Sequence, residues 1–306
     1  MLTGAKVLLI GASGQIGRAV ARRFADSCEI WRVADFNGPE SGEKAGFRED
    51  MPYSIDLSAG RLDRLPGDFD YVFHFAEVRD PYSVTEGLEG NCHAVARVMK
   101  HCRKAKAFLH LSSAWVYKPD PDPRRAFSES SDIGRNFGGQ YAASKIAGEA
   151  AARAGSLILG VPTVICRANV VYGPAGGGAL DQAIDDFVAT SQVRATAGTP
   201  ACFSPLHEDD VADLIEPSLA LAAIPPAIVN WCGDEIVSWH EIFRHIGRVI
   251  DREPLESGPL ESARPSCAQD PALRRSLAGP TRTSWKDGVA GVLQARHAGV
   301  GWRGVA

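Results

Sequence analysis

Short apolar runs alternate with amphipathic stretches through the first half of the chain. This alternation is typical of a parallel sheet covered by helices on both faces. The runs predict strands at Lys6–Ile10, Glu29–Ala34, Tyr53–Ile55, Phe69–Phe75, Ala107–Leu111 and Val161–Cys166. The stretches between them predict helices at Gln15–Ala25, Asn91–Lys104 and Gly139–Ala154. The pattern therefore predicts an α/β fold with a doubly wound parallel sheet.

The regular pattern loosens past Arg167. A segment rich in glycine and proline runs from Tyr172 to Gly178, and later elements are short and separated by prolines. A chain of 306 residues is long enough for a large domain with a smaller appendage. We expect residues 1–167 to form the domain that holds any cofactor. Residues 168–306 should form a smaller substrate-binding lobe, with the chain crossing back to the sheet.

Net charge argues against a polyanionic partner. The chain carries a formal charge of −4, so it has no general attraction to nucleic acid or to an anionic membrane surface. One basic cluster stands at the end of a predicted helix, where cations complement the helix dipole and face water. It comprises Arg97, Lys100, His101, Arg103, Lys104 and Lys106. We therefore expect a small-molecule partner, with neither nucleic acid nor membrane involved.

Cysteine and histidine placement gives no sign of a disulfide framework or a metal site. The seven cysteines are odd in number, widely spaced and without a Cys-x-x-Cys pair, which fits a reducing cytosol. His207-Glu-Asp-Asp210 clusters possible ligands, but it precedes an apolar stretch, where acidic residues cap free N–H groups. The apolar run Val7–Ile10 is too short for a signal peptide, and no segment approaches the length of a membrane span. We expect a soluble, cytoplasmic protein without a metal.

A glycine-rich turn follows the first predicted strand and opens the first predicted helix. In Gly11-Ala-Ser-Gly14-Gln-Ile-Gly17, the glycines allow a tight turn and let the backbone approach a pyrophosphate at the helix N-terminus. Asp35 closes the second strand, where a carboxylate binds ribose hydroxyls and repels a 2′-phosphate. Arg32 is expected to face the other side of that strand. NAD is therefore favoured over NADP. Asp56-Leu57, after the third predicted strand, either contacts the adenine of the cofactor or caps a turn.

Tyr141 and Lys145 stand four residues apart in an alanine-rich stretch. If this stretch is helical, the phenol and the ammonium share one face. A cation beside a phenol lowers the pKa of the phenol, and bringing it from about 10 to about 7 takes roughly 4 kcal/mol of preferential phenolate stabilisation. The pair can then serve as a general base. By itself the spacing is also typical of an aromatic ring packed along a lysine stem.

These motifs occur in order with several others. The further ones are His74-Phe-Ala76, Asn91, Leu111-Ser-Ser-Ala-Trp-Val-Tyr117, Arg167-Ala-Asn-Val-Val-Tyr-Gly-Pro174 and His207-Glu-Asp-Asp-Val-Ala212. In this order the set resembles the extended short-chain dehydrogenase/reductase family, also called the NAD-dependent epimerase/dehydratase family. The resemblance runs to about residue 245. It implies a Rossmann fold, bound NAD and an enzyme; members often dimerise through helices such as the one with Tyr141, so a homodimer is one expected assembly.

The resemblance also implies roles for individual residues. Ser113 would hydrogen-bond the substrate oxygen, and Tyr141 would move the proton. Lys145 would lower the pKa of the tyrosine and hold the nicotinamide ribose. The implied cofactor residues are Gly11, Ser13, Gly14, Gln15, Ile16 and Gly17 around the pyrophosphate, Asp35, Asp56 and Leu57 near the adenosine, and Phe75 and Ala76 along the far ribose, with Asn91 supporting the site.

Three departures from the family pattern bear on the substrate. Ala114-Trp115 replaces the acidic pair with which dehydratases eliminate water, and Phe203 replaces an arginine that grips a substrate diphosphate. Glu77 replaces a small apolar residue beside the nicotinamide; its carboxylate either binds a polar substrate group or points to solvent. Trp115 forms an apolar wall or belongs to the core. Together with Asn169 these are the predicted substrate contacts, and they favour a weakly charged substrate.

Three functions remain open on the sequence. The first is an NAD-dependent oxidoreductase that interconverts a secondary alcohol and a ketone. The second is a nucleotide-sugar 4-epimerase, which retains its NAD and returns the hydride to the opposite face. The third is a non-catalytic, dinucleotide-sensing protein; such proteins commonly lack the tyrosine or the lysine, and this chain has both Tyr141 and Lys145.

Overall fold

Strands and helices alternate along the chain much as predicted. A computed structural model describes residues 1–34, 53–54, 62–63, 65–78, 83–134, 139–194, 201–257 and 266–299. The strands in these ranges are β1 (Lys6–Ile10), β2 (Glu29–Ala34), β3 (Tyr53–Ser54), β4 (Tyr71–His74), β5 (Ala107–Ser113), β6 (Thr163–Ala168), β7 (Val171–Tyr172), β8 (Gln192–Arg194), β9 (Cys202–Phe203), β10 (Leu206–His207), β11 (Ala227–Trp231), β12 (Val237–Ser238) and β13 (Leu255–Ser257). The helices are α1 (Gln15–Phe24), α2 (Val84–Leu88), α3 (Ala94–His101), α4 (Gly139–Leu159), α5 (Ala179–Thr190), α6 (Glu208–Asp213), α7 (Ile215–Leu219), α8 (Trp239–Ile250), α9 (Ala272–Ala278) and α10 (Trp285–Arg296).

A single parallel sheet organises the first half of the chain. Its strands follow the order β11-β6-β5-β4-β1-β2-β3, and each neighbouring pair is parallel. The strand order reverses at β1, because β2 and β3 lie on one side of it and β4, β5, β6 and β11 lie on the other. Doubly wound folds bind ligands beside such a reversal, at the carboxyl ends of the strands. The predicted Rossmann-type sheet is confirmed.

The alternation of side chains along β1 explains why both faces of the sheet are covered. Val7 and Leu9 belong to one buried cluster, whereas Leu8 and Ile10 belong to another on the opposite face. All four side chains are fully buried, and each contributes roughly 1.5–3 kcal/mol by leaving water. A strand buried on both faces reads as an unbroken apolar run, which is why this element was predictable.

Part of the second half of the chain returns to this sheet. β11 lies beside β6, with Ala227 opposite Val164 and Trp231 opposite Ala168. A third buried cluster lies elsewhere and draws on α5, α8 and α10, with Ile184, for example, among its members. The division of the chain at residue 167 stays a prediction.

One predicted helix differs from the structure. In place of Asn91–Lys104, the chain forms α2, a π-helical segment at Glu89–His93 and then α3. The helical region begins earlier because Ser83 caps α2, its hydroxyl accepting a hydrogen bond from the Glu86 amide at 3.1 Å. Helix α4 starts at Gly139 as predicted and continues five residues beyond the predicted end at Ala154.

Candidate active site

The glycine turn between β1 and α1 lies tightly against the chain that leaves β4. Gly11 has a φ of +83°, and a Cβ there would lie 2.6 Å from the amide nitrogen of Ala76. A Cβ at Gly17 would lie 2.2 Å from the carbonyl oxygen of Gly11. Both positions therefore require glycine, one for its backbone conformation and both for the close approach of other backbone.

Replacing Gly17 by alanine should lower the free energy of unfolding by about 1–3 kcal/mol, because the new methyl meets backbone that cannot move aside cheaply. The matched control is Gly291→Ala in α10, where a Cβ would meet nothing within 4 Å. That change should raise the free energy of unfolding by about 0.5–1 kcal/mol. Urea unfolding of both variants measures the difference, and equal stabilities would show that the turn tolerates the methyl.

The other predicted cofactor residues surround this turn in different ways. Gly14 caps α1 without a side-chain acceptor, and the carbonyl of Ser13 accepts a 2.8 Å hydrogen bond from Arg18. Gln15 is buried, and its amide nitrogen donates to Asp181 at 2.9 Å and to Glu208 at 3.1 Å. Asp35, Asp56 and Leu57 lie outside the described residues, so their roles stay predictions.

A cavity of about 240 Å³ opens beside the turn, at the carboxyl ends of β5 and β6. Seven of the predicted site residues line it, namely Gln15, Ile16, Glu77, Ser113, Trp115, Tyr141 and Asn169. Ser112, Gln182 and Cys267 are among the lining residues that were not predicted. The cavity therefore joins the glycine turn to the predicted proton-transfer residues.

Glu77 connects the tyrosine and the lysine of α4. The Tyr141 hydroxyl donates to Glu77 Oε2 at 2.9 Å, and Lys145 Nζ lies 3.2 Å from the same oxygen. Lys145 is only 1% exposed and also donates to the carbonyl of Leu111 at 2.7 Å. The two predicted residues do share one helix face, and the carboxylate lies within hydrogen-bonding distance of both.

Ser113 and Trp115 complete the wall around Tyr141. Ser113 Oγ accepts a hydrogen bond from the Trp115 amide at 3.2 Å, which fixes the serine at the end of β5. Because its oxygen accepts this bond, the hydroxyl hydrogen can be directed towards an oxygen in the cavity. The indole of Trp115 meets the Tyr141 ring edge-on, with centroids 5.9 Å apart. Trp115 lines the cavity and also packs against the third core cluster, so its role towards a substrate stays a prediction.

Asn91 fastens the loop after β4 to helix α4. Its amide oxygen accepts from the Val78 backbone amide at 2.7 Å, while its amide nitrogen donates to the Val78 carbonyl at 2.9 Å and to Ser144 Oγ at 2.8 Å. Ser144 in turn donates to the carbonyl of Tyr141 at 2.8 Å. Asn91 therefore fixes the backbone next to Glu77 relative to the backbone next to Lys145.

A buried ion pair that was not among the predicted contacts supports the other side of the site. Arg167 in β6 donates to both carboxylate oxygens of Glu149 in α4, at 2.9 and 2.8 Å. Their side chains are 2% and 1% exposed. Ser112 donates to Glu149 Oε1 at 2.6 Å, so its hydroxyl hydrogen is engaged by the protein.

Two histidines lie side by side in the sheet near Lys145. His74 in β4 and His110 in β5 are paired in register, with ring centroids 5.6 Å apart. Burial, reinforced by the charge of Lys145, lowers the pKa of His74 to about 3 and lowers the pKa of His110 as well. None of their ring nitrogens has a hydrogen-bond partner in the described part of the chain. Both histidines are therefore neutral near pH 7.

Two predicted contact residues have side chains held by the protein itself. The Asn169 amide nitrogen donates to the Cys267 carbonyl at 2.7 Å, and its oxygen accepts from the Ser204 amide at 2.9 Å. The ring of Phe203 packs against Trp239 in the third core cluster, with centroids 4.6 Å apart, and is not part of the cavity wall. Phe75 likewise directs its ring into a core cluster. Their roles towards a ligand stay predictions.

The acidic segment at residues 207–210 begins a helix, as expected. His207 caps α6, and its Nδ1 accepts from the Asp209 amide at 3.3 Å. Glu208 accepts from the Ala175 amide, and Asp210 accepts from the Arg282 amide. Among the described residues, no group of three or more histidine, cysteine, aspartate or glutamate side chains is arranged around a common point for a metal ion.

Comparison with known proteins places the chain in a family. The sequence model of the NAD dependent epimerase/dehydratase family matches residues 7–215. The chain belongs to this family, which confirms the resemblance drawn from its motifs. No curated protein matches the chain by sequence.

Solved structures share the fold over nearly the whole chain. MoeE5 in complex with UDP-glucuronic acid and NAD is 21% identical, with a TM-score of 0.80, covering 96% of this chain and 100% of that one. UDP-glucuronic acid 4-epimerase from Bacillus cereus, in complex with UDP-glucuronic acid and NAD, is 19% identical, with a TM-score of 0.79 and coverage of 95% and 98%. TunA, an NAD-dependent NDP-hexosamine 5,6-dehydratase, is 19% identical, with a TM-score of 0.79 and coverage of 96% and 98%.

No helix in the described ranges is both long enough and apolar enough to cross a membrane.

Proposed function

We propose that this protein is an NAD-dependent oxidoreductase that interconverts a secondary alcohol and a ketone. The observation that carries the proposal is the arrangement at the cavity: Tyr141 and Ser113 both line it, and so do Gln15 and Ile16 of the glycine turn. Lys145 contacts the same Glu77 oxygen as Tyr141. A proton donor, an oxygen-binding hydroxyl and a dinucleotide turn are thus within reach of one small substrate.

The residues around the turn fit a dinucleotide. Helix α1 has no acidic residue in its first turn and no side-chain cap at Gly14, so its first N–H groups and its dipole favour a pyrophosphate. Asp35 supports NAD over NADP, because its carboxylate would repel a 2′-phosphate. When bound, nicotinamide accepts or supplies the hydride.

The protein's own residues handle the oxygen and its proton. Ser113 donates a hydrogen bond to the substrate oxygen and orients it towards Tyr141. Tyr141 exchanges a proton with that oxygen as the carbon changes its oxidation state. Asn91 and Ser144 keep the helix carrying Tyr141 in place relative to the end of β4, and such positioning lowers the barrier by holding reacting groups in the productive geometry.

The cavity wall supports a small, weakly charged substrate. Its described lining contains one charged side chain, Glu77, and neither lysine nor arginine. A diphosphate is usually held by such cations. Ala114 and Trp115 supply no acid or base for eliminating water, which disfavours a dehydratase. Trp115 instead offers an apolar surface for the carbon skeleton of the substrate.

A nucleotide-sugar 4-epimerase is the second candidate. It is favoured by the structural neighbours that were solved with UDP-sugars and NAD, which share the fold over more than nine-tenths of this chain. It would use Ser113, Tyr141 and Lys145 in the same roles but would return the hydride to the same carbon.

A cofactor-reduction screen tests the proposal. Purified protein is incubated at neutral and at alkaline pH with a panel of secondary alcohols and with NAD or NADP in parallel, and the absorbance of reduced nicotinamide is followed. We expect NAD to be reduced faster than NADP. We also expect uncharged alcohols to support faster cofactor reduction than UDP-sugars. A protein that retains NAD through purification and epimerises a UDP-sugar without net reduction would instead identify the epimerase.

We further propose that the protein is cytoplasmic and acts on a small molecule without nucleic acid. We also propose that it forms the homodimer that is common in its family. All seven cysteines are described and none forms a disulfide, which supports a reducing compartment. Light scattering of the purified chain measures the assembly.

A further inference from the structure

The arrangement around Tyr141 differs from a simple tyrosine and lysine pair. Glu77 Oε2 accepts the Tyr141 hydrogen bond at 2.9 Å and lies 3.2 Å from Lys145 Nζ. The positive charge of Lys145 is therefore already compensated by a carboxylate. Glu77 comes from the end of β4, 64 residues before Tyr141, so two separate elements of the fold bring these groups together.

This geometry favours the neutral phenol over the phenolate. A phenol donates its hydrogen to a carboxylate, and that hydrogen bond stabilises the protonated form of the tyrosine. Loss of the proton would leave two negative oxygens within hydrogen-bonding distance around one ammonium. Glu77 is only 18% exposed, so water screens this repulsion incompletely.

The other charged and titratable groups that the structure describes nearby do not reverse this balance. His74 and His110 approach Lys145 from the sheet and are neutral, because burial lowers the pKa of each. One turn further along α4, the negative charge of Glu149 is matched by Arg167. Within the described residues, Lys145 is thus the cation next to Tyr141, and it is paired with Glu77.

We infer that Glu77 keeps Tyr141 in its protonated form, so that the site is set to donate a proton to a carbonyl oxygen near neutral pH. The inference rests on the proposed oxidoreductase function and adds that ketone reduction is favoured over alcohol oxidation near neutral pH. In ketone reduction, hydride supplied by reduced nicotinamide would add to the carbonyl carbon, the oxygen would take the Tyr141 proton, and solvent would return a proton to the phenolate. Alcohol oxidation needs the phenolate first, so it should require alkaline pH.

The pH profile of Glu77→Gln tests this positioning role. Glutamine keeps the size and removes the charge, so the midpoint of the pH dependence of kcat for alcohol oxidation should move at least about one unit towards acid. Below the midpoint, that is about a tenfold gain in oxidation at a given pH. Exposed Glu235 provides the matched control, and Glu235→Gln should leave the midpoint in place. An unchanged midpoint in Glu77→Gln would overturn the inference, even with a lower rate, since a merely structural role lowers the rate alone.

A titration without substrate separates this inference from the proposed function. Tyrosinate absorbance is recorded against pH for the wild-type full chain, for Glu77→Gln, and for each with the additional change Tyr141→Phe, so that subtraction isolates Tyr141. We expect the Tyr141 transition at lower pH in Glu77→Gln. Coincident transitions would overturn the inference. If the transition shifts but no alcohol or ketone is turned over, the influence of Glu77 on Tyr141 stands and the proposed reaction fails.

Discussion

Replacing Tyr141 by phenylalanine is expected to lower kcat by about 100-fold to 10,000-fold, the usual contribution of a positioned general acid or base. The ring should stay in place, because it packs edge-on against Trp115 and sits on a helix held by Asn91. Only the hydroxyl that donates to Glu77 is lost. Binding of NAD, measured by calorimetry, should therefore change little while steady-state turnover collapses.

Tyr71→Phe serves as the control for this change. Tyr71 is a half-buried tyrosine at the start of β4 and is not part of the cavity wall. Tyr71→Phe removes the same hydroxyl oxygen as Tyr141→Phe, but at a position outside the cavity wall. Turnover should therefore remain close to wild type. If Tyr141→Phe retained turnover comparable to Tyr71→Phe, the proton would have to move through another group, and the proposed role of Tyr141 would be wrong.

Local patterns were enough to predict the framework that positions this site. The strands at Lys6–Ile10 and Glu29–Ala34 were predicted with the bounds that the structure shows. Each is an apolar run next to a turn signal, and both properties depend only on neighbours in the sequence. The face shared by Tyr141 and Lys145 was predictable for the same reason, since helical spacing alone sets it.

Contacts between distant residues were not predictable in this way. Nothing local to Glu77 indicates that its carboxylate meets both Tyr141 and Lys145; from the sequence, a substrate contact and a solvent-facing side chain were equally open. The clamp from Asn91 to Val78 and Ser144 likewise depends on how α4 packs against the end of β4. Periodicity reports which face of an element is buried, but it does not report the partner across that face.

Two features that were not predicted do have a local signal in the sequence. Ser83 followed three residues later by Glu86 is the pattern of a capped helix start, and α2 begins there. Arg167 stands within an otherwise apolar strand, where a buried charge requires a partner of opposite sign. The partner is Glu149, 18 residues earlier, which lies on the helix that precedes the strand.

The ion pair between Arg167 and Glu149 predicts the second large effect. Arg167→Met should lower the free energy of unfolding by about 3–5 kcal/mol, because it leaves a buried carboxylate without its cation. The loss follows from burial: both side chains are at most 2% exposed, and Ser112, which also donates to Glu149, carries no charge that could replace the guanidinium. Urea unfolding of wild type and variant measures the difference, with the slope of the transition checked for constancy.

An exposed pair of the same kind gives the matched comparison. Arg124 and Glu241 are 52% and 41% exposed, so Arg124→Met should cost less than about 1 kcal/mol. The double variant Arg167→Met with Glu149→Leu should be more stable than Arg167→Met alone, since it removes the stranded charge and replaces it with apolar volume. Equal costs for the two arginine variants, or no recovery in the double variant, would mean that water or a rearranged side chain compensates Glu149 and that burial does not set its energy.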